Sequence, residues 1–204
     1  MSRPLPVAVL ASGRGSNVQA ILDACGRSGF PARVVVVVSD REAAHALTRA
    51  AAVGVPARFV NPKDFADRAA YDAALIAVIE AHDVGLVCLA GFMRVLGRGF
   101  IQRFAGQIMN IHPSLLPAFP GLAAQRQALD YGVRVTGATV HFVDEGVDTG
   151  PIILQAGVRV HDDDTEESLS QRILREEHRL YPEAIRLFAE GRLTIAGRRV
   201  LVRQ

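Results

Sequence analysis

The sequence predicts an α/β fold: an open, mostly parallel, doubly wound sheet with an antiparallel C-terminal part and a long C-terminal helix. Its first half alternates short apolar runs with segments of helical periodicity. One run contains five consecutive valines, residues 34–38, which suits a strand buried on both faces of a parallel sheet. The second half instead carries two long apolar segments joined by a glycine-rich turn.

The first half predicts strands and helices in alternation. Apolar residues at helical spacing mark the helices, and Gly29 and Gly54 are placed to end the first two. In chain order we expect strand 5–11, helix 18–25, strand 34–38, helix 42–53, strand 57–60, a helix marked by Tyr71, Leu75, Val78 and Ile79, strand 85–90 and strand 107–111.

The second half predicts two extended, partly antiparallel strands, 133–143 and 151–160, on either side of a turn at 144–150. A small hairpin is expected after Gly191. With no repeat, low-complexity tract or linker in the sequence, we expect a single domain over residues 1–204.

A long helix is predicted between the second of these strands and the hairpin. Asp164 can cap a helix that begins near Thr165, with Glu167 placed to close a capping box. Its apolar stripe continues to about Glu190, and Pro182 should kink or interrupt it.

Composition excludes several classes of protein. The net charge of +2, from 23 Lys and Arg against 21 Asp and Glu, gives no case for a nucleic-acid binder but permits local pockets for small anions. The two cysteines have no metal-like spacing and are expected to be reduced core residues. No apolar run is long enough for a signal-peptide core or a membrane span. We therefore expect a cytoplasmic protein with small-molecule substrates and no membrane partner.

The candidate catalytic groups follow the strand 107–111. Asn110 and His112 alternate about Ile111, so in extended chain they lie on one face, at the end of a strand and before a proline-rich loop. Asp148, in the downstream turn, is a potential carboxylate partner. Such groups can stabilise an oxyanion, move a proton and orient the proton carrier. A structural histidine and an ordinary turn aspartate are the alternatives.

The turn at residues 12–17, between the first strand and helix, can hold a phosphate on free helix N–H groups. Gly13 and Gly15 allow close approach. The alternative is a plain turn with Ser16 or Asn17 as the helix cap. Val18 stands where a dinucleotide fingerprint would have its third glycine, so NAD binding is weakly supported.

Two further segments have both a functional and a plainer interpretation. Residues 90–96, after a strand, suit a flat apolar ligand whose polar edge meets backbone groups, although such a segment alone is more often core. Residues 161–164 read His-Asp-Asp-Asp, which resembles a metal cluster, but a solvated loop ending in a helix cap is the favoured interpretation.

Taken together, the motifs resemble those of the phosphoribosylglycinamide formyltransferase family of purine synthesis. The resemblance covers nearly the whole chain: SGRGSN at 12–17, LAGFMRVL at 89–96, NIHPSLLP at 110–117, VDEGVDTGPII at 143–153 and EHRLYP at 177–182. Methionyl-tRNA formyltransferases and formyltetrahydrofolate deformylases share the third motif. However, their extra domains do not fit within 204 residues.

The resemblance implies a one-carbon group transferase. The amine of glycinamide ribonucleotide would attack the formyl carbon of the co-substrate 10-formyltetrahydrofolate, with no metal. By resemblance, His112 is the general acid, Asn110 binds the developing oxyanion, and Asp148 orients His112 and favours its protonated form. A nearby anion raises an imidazole pKa, which makes this physically sound. A formyltetrahydrofolate deformylase and a non-catalytic or dinucleotide-binding α/β module are the alternatives.

The resemblance also implies binding residues. The substrate phosphate would be bound by Gly15, Ser16 and Asn17, and the ribose by Glu177. The folate would be bound by Arg68, Met93, Arg94, Val95, Leu96 and Asn110. A cis Leu116–Pro117 peptide and a monomer or weak homodimer are expected.

The loop at residues 118–124 departs from the family pattern. Many relatives carry Lys and His there, whereas this chain reads AFPGLAA. The absence of Lys and His from this loop affects how strongly the substrate phosphate is bound and not the formyl transfer itself. Gln125 and Arg126 are candidates to substitute in part.

Overall fold

A parallel sheet forms the first of two units into which the chain divides, between Met109 and Asn110, in the computed structural model, which describes residues 3–203. Its strand order is β3-β2-β1-β4, with β1 parallel to both β2 and β4 and β2 parallel to β3. The strands are β1 Leu5–Leu10, β2 Ala32–Ser39, β3 Ala57–Phe59 and β4 Leu86–Leu89. The helices are α1 Ser16–Cys25, α2 His45–Ala52, α3 Arg68–Glu80 and α4 Arg98–Arg103.

Burial of the central strands stabilises this unit. All four residues of β4 are buried, as are Val35 to Val38 of the valine run in β2. Burial of one such side chain contributes about 1.5–3 kcal/mol. Because both faces of the strands are covered, their sequences lack polar alternation, and the prediction of buried parallel strands is confirmed.

The second unit contains the antiparallel part of the fold. Its strands are β5 Ile108–His112, which begins just before the division, β6 Val135–Phe142, β7 Ile152–Arg159, β8 Leu193–Ala196 and β9 Arg199–Val202, with helices α5 Ala124–Tyr131 and α6 Glu166–Ala189. The strand order is β5-β6-β7-β9-β8, with β6 antiparallel to β7, β8 antiparallel to β9, and β9 parallel to β7. The predicted fold class, with its long C-terminal helix and terminal hairpin, is confirmed. The single domain expected over residues 1–204 stays a prediction.

Helix α2 begins three residues later than predicted. Ala44 is extended, and residues 41–44 form a turn in which the Ala44 N–H donates to the Arg41 carbonyl at 3.2 Å. The Ala46 N–H, near the helix start, donates to the Gly13 carbonyl at 3.2 Å. Contact with the turn after β1 therefore sets where this helix begins.

The cap of α6 also differs from the prediction. Thr165 is the N-cap and forms a capping box with Ser168, so Asp164 and Glu167 do not play those parts. The Asp164 carboxylate instead accepts from the Arg172 guanidinium, the Ser168 hydroxyl and the His161 N–H.

Pro182 does not interrupt helix α6, which continues for 24 residues. Leu180, Tyr181, Ala184 and Ile185 are buried on both sides of the proline. Their packing outweighs the lost backbone hydrogen bond.

Helices α4 and α5 were not predicted. They are six and eight residues long, and α5 buries only Ala124 and Ala128. Neither presents an apolar stripe long enough to be recognised in the sequence.

Truncation of α6 in its buried stripe should destabilise the protein. Ile173 is 0% exposed, so Ile173→Ala should lower the free energy of unfolding by about 2–5 kcal/mol through lost burial and a residual cavity. The same change at Ile195 in β8, which is 44% exposed, should cost less than about 1 kcal/mol. Urea unfolding with an unchanged m value measures both. Equal losses would contradict the packing of α6.

Candidate active site

The turn after β1 leads into helix α1 with its glycine in a demanding position. Gly15 is the N-cap of α1, with a φ of 70°, so neither Ser16 nor Asn17 is the cap. A Cβ on Gly15 would lie 2.8 Å from the Ala46 Cα, so both space and backbone conformation require glycine. No side chain of the N-cap covers the first N–H groups of the helix. This turn has the geometry of an anion-binding helix start.

Arg49 of helix α2 holds this turn from the side. Its Nε donates to the Arg14 carbonyl at 3.0 Å, and its Nη1 donates to the Gln19 Oε1 at 3.1 Å. Sequence reasoning missed this residue, because an arginine on a helix carries no signal for a contact 35 residues away. Arg49 adds positive charge beside the candidate phosphate turn.

The segment after β4 is joined to the same turn. The Ser12 N–H donates to the Gly91 carbonyl at 3.0 Å, and the Met93 N–H donates to the Ser12 Oγ at 2.8 Å. Neighbouring strands β1 and β4 end side by side, which brings these two loops together. The candidate phosphate turn and the candidate folate segment therefore meet within the first unit.

The four candidate folate residues of this segment differ in exposure. Met93 and Val95 are 57% and 62% exposed, and Arg94 is exposed too, whereas Leu96 is buried. Two large apolar side chains in the open beside backbone polar groups form a surface suited to a flat ligand with a polar edge.

Arg68, the first residue of α3, lies beside this segment. Its guanidinium donates to the Leu96 carbonyl and lies 4.0 Å from the Asp72 Oδ2. The side chain is about half exposed, so part of the guanidinium faces solvent. Arg68 and Leu96 are thus brought together.

The second unit holds the predicted catalytic trio in one cluster. The His112 Nδ1 lies 3.3 Å from the Asp148 Oδ2, and the Asn110 Nδ2 lies 3.4 Å from the Asp148 Oδ1. The Gly121 N–H donates to the Asp148 Oδ2 at 2.8 Å. His112 is 4% exposed. Asn110, His112 and Asp148 are therefore neighbours, as the sequence suggested.

His141 of β6 is a further member of this cluster that sequence reasoning missed. Its Nδ1 lies 2.8 Å from the Phe142 carbonyl oxygen, which can only accept, so Nδ1 carries a proton. In the neutral ring Nε2 accepts from the Asn110 Nδ2 at 3.2 Å, and it lies 3.6 Å from the Asp148 Oδ1. The available signal was the alternation of Thr139 and His141 in an otherwise apolar strand.

The loop after β5 supplies the other partner of His112. The His112 Nε2 donates to the Phe119 carbonyl at 2.8 Å, which assigns the proton of the neutral ring to Nε2 and leaves Nδ1 toward Asp148. The Leu116–Pro117 peptide in this loop is cis, as expected. The Thr139 Oγ1 accepts from the Leu116 N–H at 3.1 Å and donates to the Ser114 carbonyl at 2.7 Å, and it ties the loop to β6.

The surroundings of His112 act on its pKa in both directions. Burial lowers the pKa of the imidazole below its ordinary 6.5 and is the largest effect. The Phe119 carbonyl and the charge of Asp148 raise this pKa but do not offset burial, and His141 lowers it further. Asp148 therefore favours the protonated ring, and the expectation that His112 is charged during the reaction stays a prediction.

Asp148 itself is an anion. Burial raises the pKa of its carboxyl. At the acidic pH where this carboxyl titrates both imidazoles are protonated, and His141, the Gly121 N–H and the charge of His112 outweigh burial and bring the pKa below the ordinary 3.8. Asp148, with a side chain 11% exposed, is thus a partly buried carboxylate that faces His112.

The remaining candidates lie elsewhere in the second unit. Glu177 is a buried residue of α6. Arg126 is a candidate to replace the missing phosphate-binding side chains. Its Nε and Nη2 donate to the Glu166 Oε2 at 2.9 and 2.7 Å. The loop at 118–124 therefore receives no free guanidinium from Arg126.

In the segment 161–164, residues 161–163 are exposed, as the interpretation of a solvated loop has it. The Asp164 side chain is 3% exposed and pairs with Arg172, so its carboxylate is already occupied by a cationic partner. Residues 3–203 contain no group of three or more His, Cys, Asp or Glu that could hold a metal ion. No helix in the same part of the chain is long and apolar enough to cross a membrane.

Comparisons with known proteins agree with this geometry. A family model described as formyl transferase matches residues 5–185. A phosphoribosylglycinamide formyltransferase of Mycobacterium tuberculosis is 49% identical over 197 residues, which cover 97% of this chain and 91% of the relative. The crystal structure of glycinamide ribonucleotide transformylase 1 from Symbiobacterium toebii superposes with a TM-score of 0.98 at 56% identity, covering 100% of this chain and 96% of that one.

A longer relative matches as well. The trifunctional purine biosynthetic protein adenosine-3 of Drosophila melanogaster is 50% identical over 192 residues, which cover 93% of this chain. The chain spans 14% of the length of that relative. Since the family model and the Mycobacterium tuberculosis relative both match most of the chain, the chain belongs to the formyl transferase family, among the phosphoribosylglycinamide formyltransferases.

Proposed function

We propose that the protein transfers the formyl group of 10-formyltetrahydrofolate to the amine of N1-(5-phospho-D-ribosyl)glycinamide, giving the N-formyl product and tetrahydrofolate, in the cytoplasmic synthesis of purines. The observation that carries the proposal is the cluster of Asn110, His112 and Asp148, since it combines an amide donor, a buried imidazole and a carboxylate. The relatives that carry this activity in their names support the choice of substrates.

The route of the transferred proton runs through the His112 imidazole. The amine nitrogen attacks the formyl carbon, a C–N bond forms, and the carbonyl electrons move to oxygen. Burial lowers the pKa of His112, and in the neutral ring that this favours Nδ1 is unprotonated, so in this scheme it accepts the proton that the attacking nitrogen releases. When the C–N10 bond breaks and the carbonyl forms again, the same proton passes to N10. No proton is gained or lost overall.

Asp148 acts on the imidazolium that exists between these two transfers. A proton on the His112 Nδ1 faces the Asp148 Oδ2 at 3.3 Å, while the Nε2 proton stays on the Phe119 carbonyl. Both N–H groups of the charged ring then have acceptors. Asp148 therefore stabilises the intermediate more than the resting enzyme, which is what lowers a barrier.

Asn110 stabilises the oxyanion. Its two amide hydrogens are directed at the His141 Nε2, 3.2 Å away, and at the Asp148 Oδ1, 3.4 Å away. The longer of these bonds is the weaker, and an oxyanion is a better acceptor in its place. One such donor lowers a barrier by about 3 kcal/mol.

Substrate binding is assigned to the turn and the segment already described. Gly15, Ser16 and Asn17 bind the substrate phosphate, supported by the uncapped start of α1 and the charge of Arg49. Arg68 and residues 93–96 bind the folate together with Asn110, and Glu177 binds the ribose. The chain acts as a single catalytic domain, as a monomer or weak homodimer.

Purified protein with both substrates should release tetrahydrofolate, and three substitutions should remove most of that activity. His112→Ala should lower kcat by about 10²–10⁴-fold through loss of the proton carrier. Asp148→Asn should lower it by about 10²-fold or more, because the imidazolium loses its counter-ion. Asn110→Ala should lower it by about 10²–10³-fold. A spectrophotometric assay of tetrahydrofolate formation measures all three.

Matched controls separate chemistry from general damage. His161→Ala and Asp163→Asn make similar changes at exposed positions and should leave kcat within about twofold. No tetrahydrofolate from the wild type with both substrates present would contradict the proposal. Equal turnover with and without the amine would identify a deformylating hydrolase instead.

The buried neutral His112 also predicts how stability depends on pH. Its pKa is lowered on folding, so the unfolded chain binds the proton more tightly. Its contribution to stability is complete above the ordinary value of 6.5 and is lost as the pH falls below that value, by up to about 1.4 kcal/mol per pH unit. Urea unfolding between pH 5.5 and 7.5 should show a shallower pH slope for His112→Gln than for the wild type. An unchanged slope in His112→Gln, as expected for the control His161→Gln, would contradict the burial argument.

A further inference from the structure

Two residues near the start of helix α3, Arg68 and Asp72, bind the C-terminal end of the candidate folate segment. The Gly97 N–H donates to the Asp72 Oδ2 at 2.7 Å, and the Arg68 guanidinium donates to the neighbouring Leu96 carbonyl. The other end is fixed at the Ser12 Oγ through the Met93 N–H. Residues 93–97 are therefore anchored at both ends.

Asp72 packs closely against this segment. It is 5% exposed, and a Cβ on Gly97 would lie 2.3 Å from its Oδ2, so position 97 has no room for a side chain. Burial raises the pKa of the Asp72 carboxyl above its ordinary value, and the Gly97 N–H, Arg68 and Arg94 oppose this in part. Burial of a carboxylate costs free energy unless hydrogen bonds and nearby cations compensate. Here the compensation comes from the charge-assisted hydrogen bond of the Gly97 N–H and from Arg68 and Arg94.

Tyr71 contacts the middle of the segment. It is 3% exposed, and the Arg94 guanidinium carbon lies 5.2 Å from the centre of its ring. The Tyr71 ring also packs edge-on against Phe65, with centroids 5.7 Å apart. Its Oη has no hydrogen-bond partner among the described residues, so the ring rather than the hydroxyl makes the contact that matters here.

We propose that Asp72 and Tyr71 are positioning residues for the formyl donor: Asp72 fixes the backbone at Gly97 and Tyr71 orients Arg94, so that residues 93–96 present their polar backbone edge and the Met93 and Val95 side chains in one arrangement. This rests on the proposed function, since it assigns the segment to the folate. Neither residue contacts the folate or the amine substrate in this scheme. Arg68 links the two parts, because its guanidinium reaches Leu96 and faces Asp72.

The test compares how each substitution changes KM for 10-formyltetrahydrofolate and KM for the amine substrate. Asp72→Ala should raise KM for 10-formyltetrahydrofolate by about tenfold or more, the effect of losing a charge-assisted hydrogen bond. KM for the amine substrate should stay within about twofold, because residues 12–17 keep their own contacts. Asp72→Asn keeps an acceptor oxygen for the Gly97 N–H and should recover part of the loss. Tyr71→Leu should also raise the KM for the donor, with Tyr71→Phe closer to the wild type.

Asp67 provides the matched control. It is the N-cap of the same helix, five residues before Asp72, and accepts the Ala70 N–H at 2.8 Å, but no hydrogen bond joins it to the described residues 93–97. Asp67→Ala should lower the thermal midpoint and leave both KM values near those of the wild type. If Asp72→Ala behaves like Asp67→Ala, or raises both KM values alike, the positioning role is wrong.

Calorimetric titration with tetrahydrofolate distinguishes this failure from failure of the proposed function. A wild type that binds tetrahydrofolate but does not turn over contradicts the function alone, and weaker binding in Asp72→Ala by about tenfold still supports the positioning role. A wild type without tetrahydrofolate binding overturns both. Equal binding by wild type and Asp72→Ala overturns the positioning role alone.

Discussion

One partly buried carboxylate organises the polar centre of the second unit. Asp148 faces His112, His141, Asn110 and the Gly121 N–H, all within 3.6 Å. These groups come from two strands and two loops. Without the carboxylate, two buried imidazoles and an amide would lose their common partner, and the orientation of each would be left to weaker contacts.

The backbone conformation of the turn at residues 144–150 directs the Asp148 carboxylate toward these groups. Asp148 has a φ of 54°, a left-handed conformation that aspartate tolerates better than a β-branched residue. At Gly150 a Cβ would lie 1.8 Å from the Phe142 carbonyl oxygen, so the chain there passes against β6 with no room for a side chain. The Asp144 Oδ1 accepts from the Gly146 N–H at 3.0 Å and stabilises the start of the turn. Backbone geometry, not side-chain reach, directs the carboxylate inward.

In the first unit, arginine side chains hold the two candidate ligand segments by their carbonyls. Arg49 donates to the Arg14 carbonyl and Arg68 to the Leu96 carbonyl. A guanidinium has several donors in a fixed plane, so it can bind a carbonyl and leave other donors or its charge for an anion. These hydrogen bonds fix the backbone of the two segments, although exposed apolar residues such as Met93 contribute little burial there.

Part of the site could be read from the sequence. The alternation of Asn110 and His112 in a strand placed both on one face, and the structure adds Asp148 beside them. Asp72 carries no such signal, and the alternation of His141 with Thr139 gives its face of the strand but not its partners. Each makes its important contact with a residue 25 or more positions away, and no local period reports such a pairing. Helix α5 escaped prediction for a related reason, since its burial rests on two alanines.

The sequence alone determined the order of the strands and of helices α1, α2, α3 and α6, the residues that alternate at the strand ends, and the motifs that mark the family. These depend on local periodicity and on residue identity. Only the tertiary structure decided that burial lowers the pKa of His112 and that the Gly97 N–H donates to Asp72. The reason is that desolvation and long-range hydrogen bonding depend on what the rest of the chain places around a group. The sequence gives the identity of each ionisable side chain, whereas the folded surroundings determine its pKa and its hydrogen-bond partners.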